Sequence, residues 1–302
     1  MITLTTIPEA RAACEQARVA GRSVGLVPTM GYFHEGHRSL MRAARAETGF
    51  VVVTLFVNPT QFGPTEDLDS YPRDPAGDTA VAIAEGADVL FAPSTEEMYP
   101  AASRTTVHVA GLTEDLCGAA RPTHFDGVTT VVTKLLSIVG SCRAYFGRKD
   151  AQQLAVVRRM AADLNLPVEV VGCPLVREAD GLAISSRNAY LTVEERGAAT
   201  VLSRALSAAA DAVRTGERDP VALTGLIETM VAGEPLVGME YAEVRGADDL
   251  SRPARLVGDL LVAVAARVGS ARLIDNISLQ VNGADVNVDL GVRVAARGKC
   301  ET

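Results

Sequence analysis

The chain has 302 residues, 48% of them hydrophobic and 22% charged, which is enough for one large domain or two unequal ones around a self-sufficient core. A formal net charge of −8 excludes a protein whose main work is to cover nucleic-acid phosphates with Lys and Arg. Ordinary Gly and Pro usage excludes collagen-like and low-complexity chains.

The N-terminal segment carries Glu9 and Arg11 where a signal peptide needs an unbroken apolar run, so neither export nor membrane insertion is expected. Short β-rich runs then alternate with stretches of helical spacing: SVGLVPT as strand, HRSLMRAARAE as helix, FVVVTLFV as strand, a helix near 77–84, and DVLFAP as strand. Further on, 128–139 is expected to be a helix, CRAYFG a strand, 151–164 a helix and PVEVVGCP a strand. Strands apolar nearly throughout, such as 50–57, belong inside a parallel sheet covered on both faces, which gives an α/β, doubly wound class. The character changes near 175. Thr192 with Glu195 forms a capping-box pattern for one long helix to about Arg214, and Asp219 with Pro220 opens the next. GMEYAEVRGA and LLVAVAARV then follow as strands, so 176–302 is expected to be a smaller α+β domain after a first domain over 1–175. The hydrophilic residues after about Asn282 are expected to be a mobile tail. Five cysteines, Cys14, Cys117, Cys142, Cys173 and Cys300, show no CxxC spacing, which fits a reducing cytoplasm better than a disulfide or zinc scaffold.

Four stretches carry possible chemistry. Pro28, Thr29, Met30, Gly31, Tyr32, Phe33, His34, Glu35, Gly36 and His37 lie where the first core strand gives way to a helix, the place where open parallel sheets bind ligands. Imidazoles beside a helix N-terminus can hydrogen-bond nucleotide phosphates, although a His pair near a turn also reads as surface or capping residues. The pair lacks the i, i+4 spacing of a zinc helix, and no GxxxxGK[ST] loop is present. Phe146 to Gln153 again joins a strand end to a helix, and Lys149 there adds a cation suited to a triphosphate. Lysines are scarce, being only Lys134, Lys149 and Lys299. Ser185, Ser186 and Arg187 can grip phosphate oxygens or form a polar hinge, and the two readings stay even. Asn58 and Gln61 offer amides for orienting a hydroxyl or carboxylate, or for holding their own loop.

PTMGYFHEGH, LFVNPTQFG, YPRDP, RPTHFDGVTTVVTKL, FGRKDAQQL and READGLAISSRNAYL together make the chain resemble, over about 20–280, the pantothenate synthetase family of the His-x-Gly-His nucleotidyltransferase superfamily. The resemblance implies a cytoplasmic, homodimeric ligase with a Rossmann-like ATP- and pantoate-binding domain and a C-terminal lid. It implies ATP and Mg2+, condensation of pantoate with β-alanine through a pantoyl adenylate, and release of pyrophosphate and AMP. Carried over position by position, it puts His34, His37, Lys149, Ser185 and Arg187 on the reacting phosphates. Pro28, Thr29, Met30, Gly147, Asp150, Val176 and Ser186 join them as nucleotide contacts. Gln61 and Gln153 would hold pantoate, with Met30 lining the same pocket. Arg148 and Ala151 depart from the family's usual Glu and aromatic residue. The family's acidic pair after YPR appears as Gly77 and Asp78, leaving Asp78 as the magnesium candidate. The rival readings are another nucleotidyltransferase of the superfamily, which needs an anionic pocket for a phosphorylated acceptor, and a non-catalytic nucleotide-binding module.

Overall fold

The computed structural model describes residues 1–64, 66–101 and 103–294, in two compact units: Met1–Arg148 with Gln152–Cys173, and Lys149–Ala151 with Pro174 onward. The first unit runs β1 (Ile2–Leu4), α1 (Ile7–Val19), β2 (Val24–Val27), α2 (Glu35–Glu47), β3 (Phe50–Thr54), α3 (Pro75–Ala84), β4 (Val89–Phe91), α4 (Thr95–Met98), α5 (Cys117–Ala120), α6 (His124–Val139), β5 (Cys142–Gly147), α7 (Ala151–Asp163) and β6 (Val168–Cys173). All six strands are parallel, in the order β1-β4-β3-β2-β5-β6.

Both faces of the sheet are buried because the period of two sends apolar residues each way. Leu26, Val52, Phe91 and Phe146 join a core with Cys14 of α1, Leu135 of α6 and Val157 of α7. Their neighbours Val27, Val51, Val53, Leu90 and Tyr145 pack with Leu40 and Met41 of α2 and Ala82 of α3. Each such side chain taken fully out of water contributes about 1.5–3 kcal/mol. From β2 the chain moves to β3 on one side, while β5 enters on the other. The carboxyl ends of β2 and β5 therefore flank the point where strand order reverses, the ligand-binding crevice of doubly wound sheets.

The second unit contains β7 (Val176–Arg177), α8 (Val193–Ala199), α9 (Val201–Arg214), α10 (Pro220–Ala232), β8 (Val237–Gly246), β9 (Gly258–Val268), β10 (Ala271–Asn282), β11 (Asp285–Asp289) and β12 (Val292–Arg293). Its antiparallel sheet has the order β11-β10-β9-β8, and β7 pairs in parallel with β12. Leu202, Leu206, Leu223 and Ile227 of α9 and α10 share a core with Val262, Val264, Leu273 and Ile277 of the sheet.

Three elements differ from expectation. The Thr192 capping box forms, with Glu195 N–H donating to Thr192 Oγ1 at 3.2 Å and Thr192 N–H to Glu195 Oε2 at 2.9 Å. The single long helix, however, breaks at Thr200, whose hydroxyl donates to the Gly197 carbonyl at 2.7 Å and whose N–H donates to it at 3.3 Å, replacing the i−4 ladder locally. The helix expected from 128 begins at His124, because Phe125 extends its buried face. After 282, where a mobile tail is expected, β11 pairs with β10 and seats Val286 and Val288 on the core; residues 295–302 of that tail lie outside the described residues. Among the described residues, no helix is long and apolar enough to cross a membrane.

Candidate functional site

In the first unit, the turn after β2 is built from two residues in the left-handed region, Gly31 at φ 90° and Tyr32 at φ 53°. At Gly31 a Cβ would lie 2.6 Å from Leu55 Cδ1 and 2.8 Å from Asp78 Oδ2, so glycine is needed for space as well as for conformation. Tyr32 and Phe33 N–H groups donate to the two oxygens of Asp78 at 2.8 and 2.6 Å. His34 then opens α2 with extended backbone, and its N–H donates to His37 Nδ1 at 3.4 Å. The two rings stack with centroids 4.0 Å apart. With Nδ1 accepting, neutral His37 carries its proton on Nε2, the atom that can donate to an anion. The first-turn N–H groups of α2 lack carbonyl partners within the helix, which makes this terminus suited to phosphate. Pro28 and Thr29 are fixed alongside β3: Thr29 N–H donates to Thr54 Oγ1 at 3.1 Å and its hydroxyl to the Thr54 carbonyl.

The structure brings Met30 and Gln61 together, with Gln61 Nε2 3.1 Å from Met30 Sδ. Gln61 is aimed by Asn58, its partner amide in the same loop, and by Arg121, His124 and Gly127, to which the sequence assigns no role. Asn58 Nδ2 donates to Gln61 Oε1 at 3.0 Å and to the Gly127 carbonyl at 3.1 Å. The Gln61 carbonyl accepts from Arg121 Nη2 at 3.3 Å and lies 2.9 Å from His124 Nδ1. His124 Nε2, 3.1 Å from Arg121 Nη1, must then be the accepting nitrogen, which defines the Nδ1–H tautomer. Gly127 of α6 has no room for a side chain, because a Cβ would overlap the Thr60 carbonyl. The signal for these residues was the RPTHFDG string, whose Arg, His and Gly act on a loop 60 and more residues earlier in the chain.

Gly147 ends β5 in the first unit. Of the two glutamines after it, Gln152 is buried and spends its amide on the Leu112 and Asp115 carbonyls and the Cys117 N–H. Gln153 is half-buried.

The second unit holds Lys149, Asp150, Val176, Ser185, Ser186 and Arg187. Lys149 Nζ lies 3.8 Å from Asp150 Oδ1, and the Lys149 carbonyl accepts from Asn276 Nδ2 at 2.8 Å. Val176 is buried in β7. Ser185 Oγ accepts from Arg187 N–H at 3.3 Å and opens a 3₁₀ turn over Ser186–Tyr190, while Asn188 Nδ2 ties that turn to the Ala183 carbonyl at 3.0 Å. Beneath the hairpin that carries it, Arg177 pairs with Asp275 at 2.6 Å, the two side chains 4% and 3% exposed. The same guanidinium donates to the carbonyls of Gly181 and Asn276, both at 3.1 Å, and of Leu290.

Burial raises the pKa of the Asp78 carboxyl, against the pull of the Phe33 and Tyr32 N–H groups. Burial also pushes the thiols of Cys14 and Cys173 to about 11 and that of Cys142 to about 12, so these are packing groups rather than nucleophiles. Among the described residues, no three or more His, Cys, Asp or Glu side chains gather as a metal cage.

Residues 2–278 match the family model described as pantoate-beta-alanine ligase. A pantothenate synthetase of Moorella thermoacetica is 51% identical over 93% of this chain and its own whole length. The crystal structure of a pantothenate synthetase from Thermus thermophilus superposes with a TM-score of 0.87 at 48% identity, covering 91% of this chain and 98% of that one. A pantoate-beta-alanine ligase from Francisella tularensis, solved with a beta-gamma ATP and β-alanine, superposes with a TM-score of 0.73 at 30% identity over 91% of this chain and 97% of its own.

Proposed function

The chain belongs to the pantoate-beta-alanine ligase family, and from that premise we propose that it condenses pantoate with β-alanine at the expense of ATP. A pantoate carboxylate oxygen forms a bond to the α-phosphorus as the bond to the β-phosphate breaks, and pyrophosphate leaves. The amine of β-alanine then forms the amide bond at the activated carbonyl and loses a proton, and AMP leaves with the former carboxylate oxygen. Activation is needed because a carboxylate has no group that an amine can displace.

The observation that carries this reading is the stacked His34 and His37 pair at the start of α2, with His37 Nδ1 accepting the His34 N–H. Imidazole donors held at a helix N-terminus stabilise charge on a transferring phosphate without reorganising at the moment of reaction. On this reading Pro28 and Thr29 abut the nucleotide and Gly147 meets its ribose. Gln61 holds pantoate, with Met30 beside it, and Gln153 is its partner in that role. From the second unit, Lys149, Ser185, Ser186 and Arg187 serve phosphate oxygens, Asp150 a ribose hydroxyl, and Val176 the nucleotide. The residues do not fit a protein-held magnesium site: among the described residues no three His, Cys, Asp or Glu side chains gather, and Asp78 is only 3% exposed with both oxygens accepting backbone N–H groups. Magnesium therefore enters as part of the MgATP substrate, carried on its phosphates. A cytoplasmic homodimer completes the proposal, and gel filtration with cell fractionation tests it.

The test is pyrophosphate release from protein with MgATP and pantoate, followed by addition of β-alanine, with His37→Ala alongside. AMP and pantothenate formation should require the amine, and the variant should lose about two to three orders of magnitude in kcat. No pyrophosphate release from the wild-type chain under these conditions overturns the assignment.

A further inference from the structure

Asp78 occupies a place that its sequence neighbourhood does not explain. It sits in the first turn of α3, fixed there by Asp74, whose side chain caps Gly77 N–H at 3.0 Å and whose carbonyl accepts Asp78 N–H at 2.8 Å, with Pro75 opening the helix. The side chain is nevertheless turned inward and is only 3% exposed. A carboxylate is costly to bury unless it is well bonded, and Asp78 receives the N–H groups of two consecutive residues, Tyr32 and Phe33, at 2.8 and 2.6 Å. Those two donors belong to the turn that sets the direction in which the chain enters α2. Tyr32 stands there at φ 53°, a conformation that an aromatic residue keeps only when its surroundings impose it. His34 follows immediately, and its N–H fixes the His37 ring.

We propose that Asp78 is a positioning residue: it holds the Gly31–Phe33 turn so that His34 and His37 present their ring nitrogens to the nucleotide, and it does not serve as a magnesium ligand. The proposal rests on the assigned role of the two histidines. The chemistry of Asp78 supports it independently, because one anion satisfying two adjacent backbone donors is the arrangement that fixes a turn. In Asp78→Asn the shape is kept, but one oxygen becomes an NH2 group facing a backbone N–H, so one donor loses its acceptor. Gly31→Ala disturbs the same turn from the opposite side, through Leu55 and Asp78.

The experiment uses the full chain and both single variants with the double variant. Asp78→Asn should lower kcat on the order of 10- to 100-fold, as displaced catalytic groups do, with half-saturation by magnesium unchanged. Gly31→Ala should act likewise. The double variant should lose clearly less than the product of the two factors, because both act on one turn. In spectra of 15N-labelled histidine, the ring signals of His34 and His37 should move in Asp78→Asn, while that of His108, bonded to Asp126 at the surface, should not. Recovery of kcat in excess magnesium overturns the proposal in favour of a metal contact. Unmoved His34 and His37 signals, or multiplicative losses in the double variant, overturn it as well. If the wild-type chain forms no AMP, the functional reading fails, and the histidine spectra still decide whether Asp78 sets the ring positions.

Discussion

The two units hold the turns proposed to meet phosphate with opposite charges. In the first, a buried anion, Asp78, collects backbone N–H groups from the histidine turn. In the second, a buried cation, Arg177, collects backbone carbonyls from the hairpin below Ser185 and from the strand beside it. The anion works without a countercharge because its two donors lie in adjacent residues. The cation has five N–H donors to satisfy, and it takes Asp275 as well as three carbonyls. A carboxylate thus fixes one short turn, whereas a guanidinium joins chain segments 98 and 113 residues away.

Breaking the larger clamp gives the largest expected effect. Asp275→Ala leaves the Arg177 charge buried without its partner and should cost about 3–5 kcal/mol, measured by urea unfolding. Replacing the pair together, Arg177→Met with Asp275→Leu, should recover only part of that, because three carbonyls lose their donor. Full recovery would show that the carbonyl bonds contribute nothing. Next in size is Gly127→Ala, which drives a methyl group into the Thr60 carbonyl and should cost about 1–3 kcal/mol of strain. In a pantoate titration it should appear mainly as a raised KM, since the displaced residue is Gln61. An equal fall in kcat and kcat/KM would place Gln61 in the reacting geometry instead.

The smallest effect is a difference in acid sensitivity. In the first unit Glu66, Glu85 and Asp88 are held below the ordinary carboxylate range: burial pushes each up, but Arg121, then Arg42 with Arg38, and then the Val51 N–H with Arg22 pull further down. In the second unit Asp180 is held down by Arg196. A lowered acid stabilises the fold above its unfolded pKa, near 4, and that contribution is lost as pH falls through the folded value. Asp78 and Asp275, raised by burial, act in the opposite sense, one in each unit. Below about pH 4, amide hydrogen exchange should therefore quicken first in the first unit; the reverse order would mean that Asp180, with Asp249 held down by Ser251, outweighs the lowered acids of the first unit.

The central strands were legible because they are apolar on both faces, and α2 because Leu40, Met41 and Ala44 repeat at helical spacing. The positions of His34 and His37 followed from chain order alone. What set their orientation did not, since the Asp78 clamp spans 46 residues and leaves no local pattern. Gln152 and Gln153 show the same limit: adjacent amides look equivalent in sequence, and only packing decides that Gln152 faces inward to the Leu112 and Asp115 carbonyls. The break at Thr200 escaped because Gly197 and Thr200 interrupt a helix through a side-chain bond that the apolar repeat does not record. β11 escaped because only Val286 and Val288 mark its inner face.

The parallel pairing of Val176 with Val292 and of Arg177 with Arg293 puts a schedule on synthesis. Arg177 cannot find its Leu290 acceptor until 113 further residues have been made, and the strand that carries it finds its neighbour, which starts at Val292, only after that. Long-range parallel contacts form slowly because loop closure is opposed by chain entropy before any contact rewards it. A ribosome paused between 190 and 290 therefore holds a first unit whose strands and helices can already be in place, together with an Arg177 still exposed to water. The arginine becomes buried only with the last strands of the second unit, which makes completion of the chain, rather than formation of the parallel sheet, the step that finishes the serine turn.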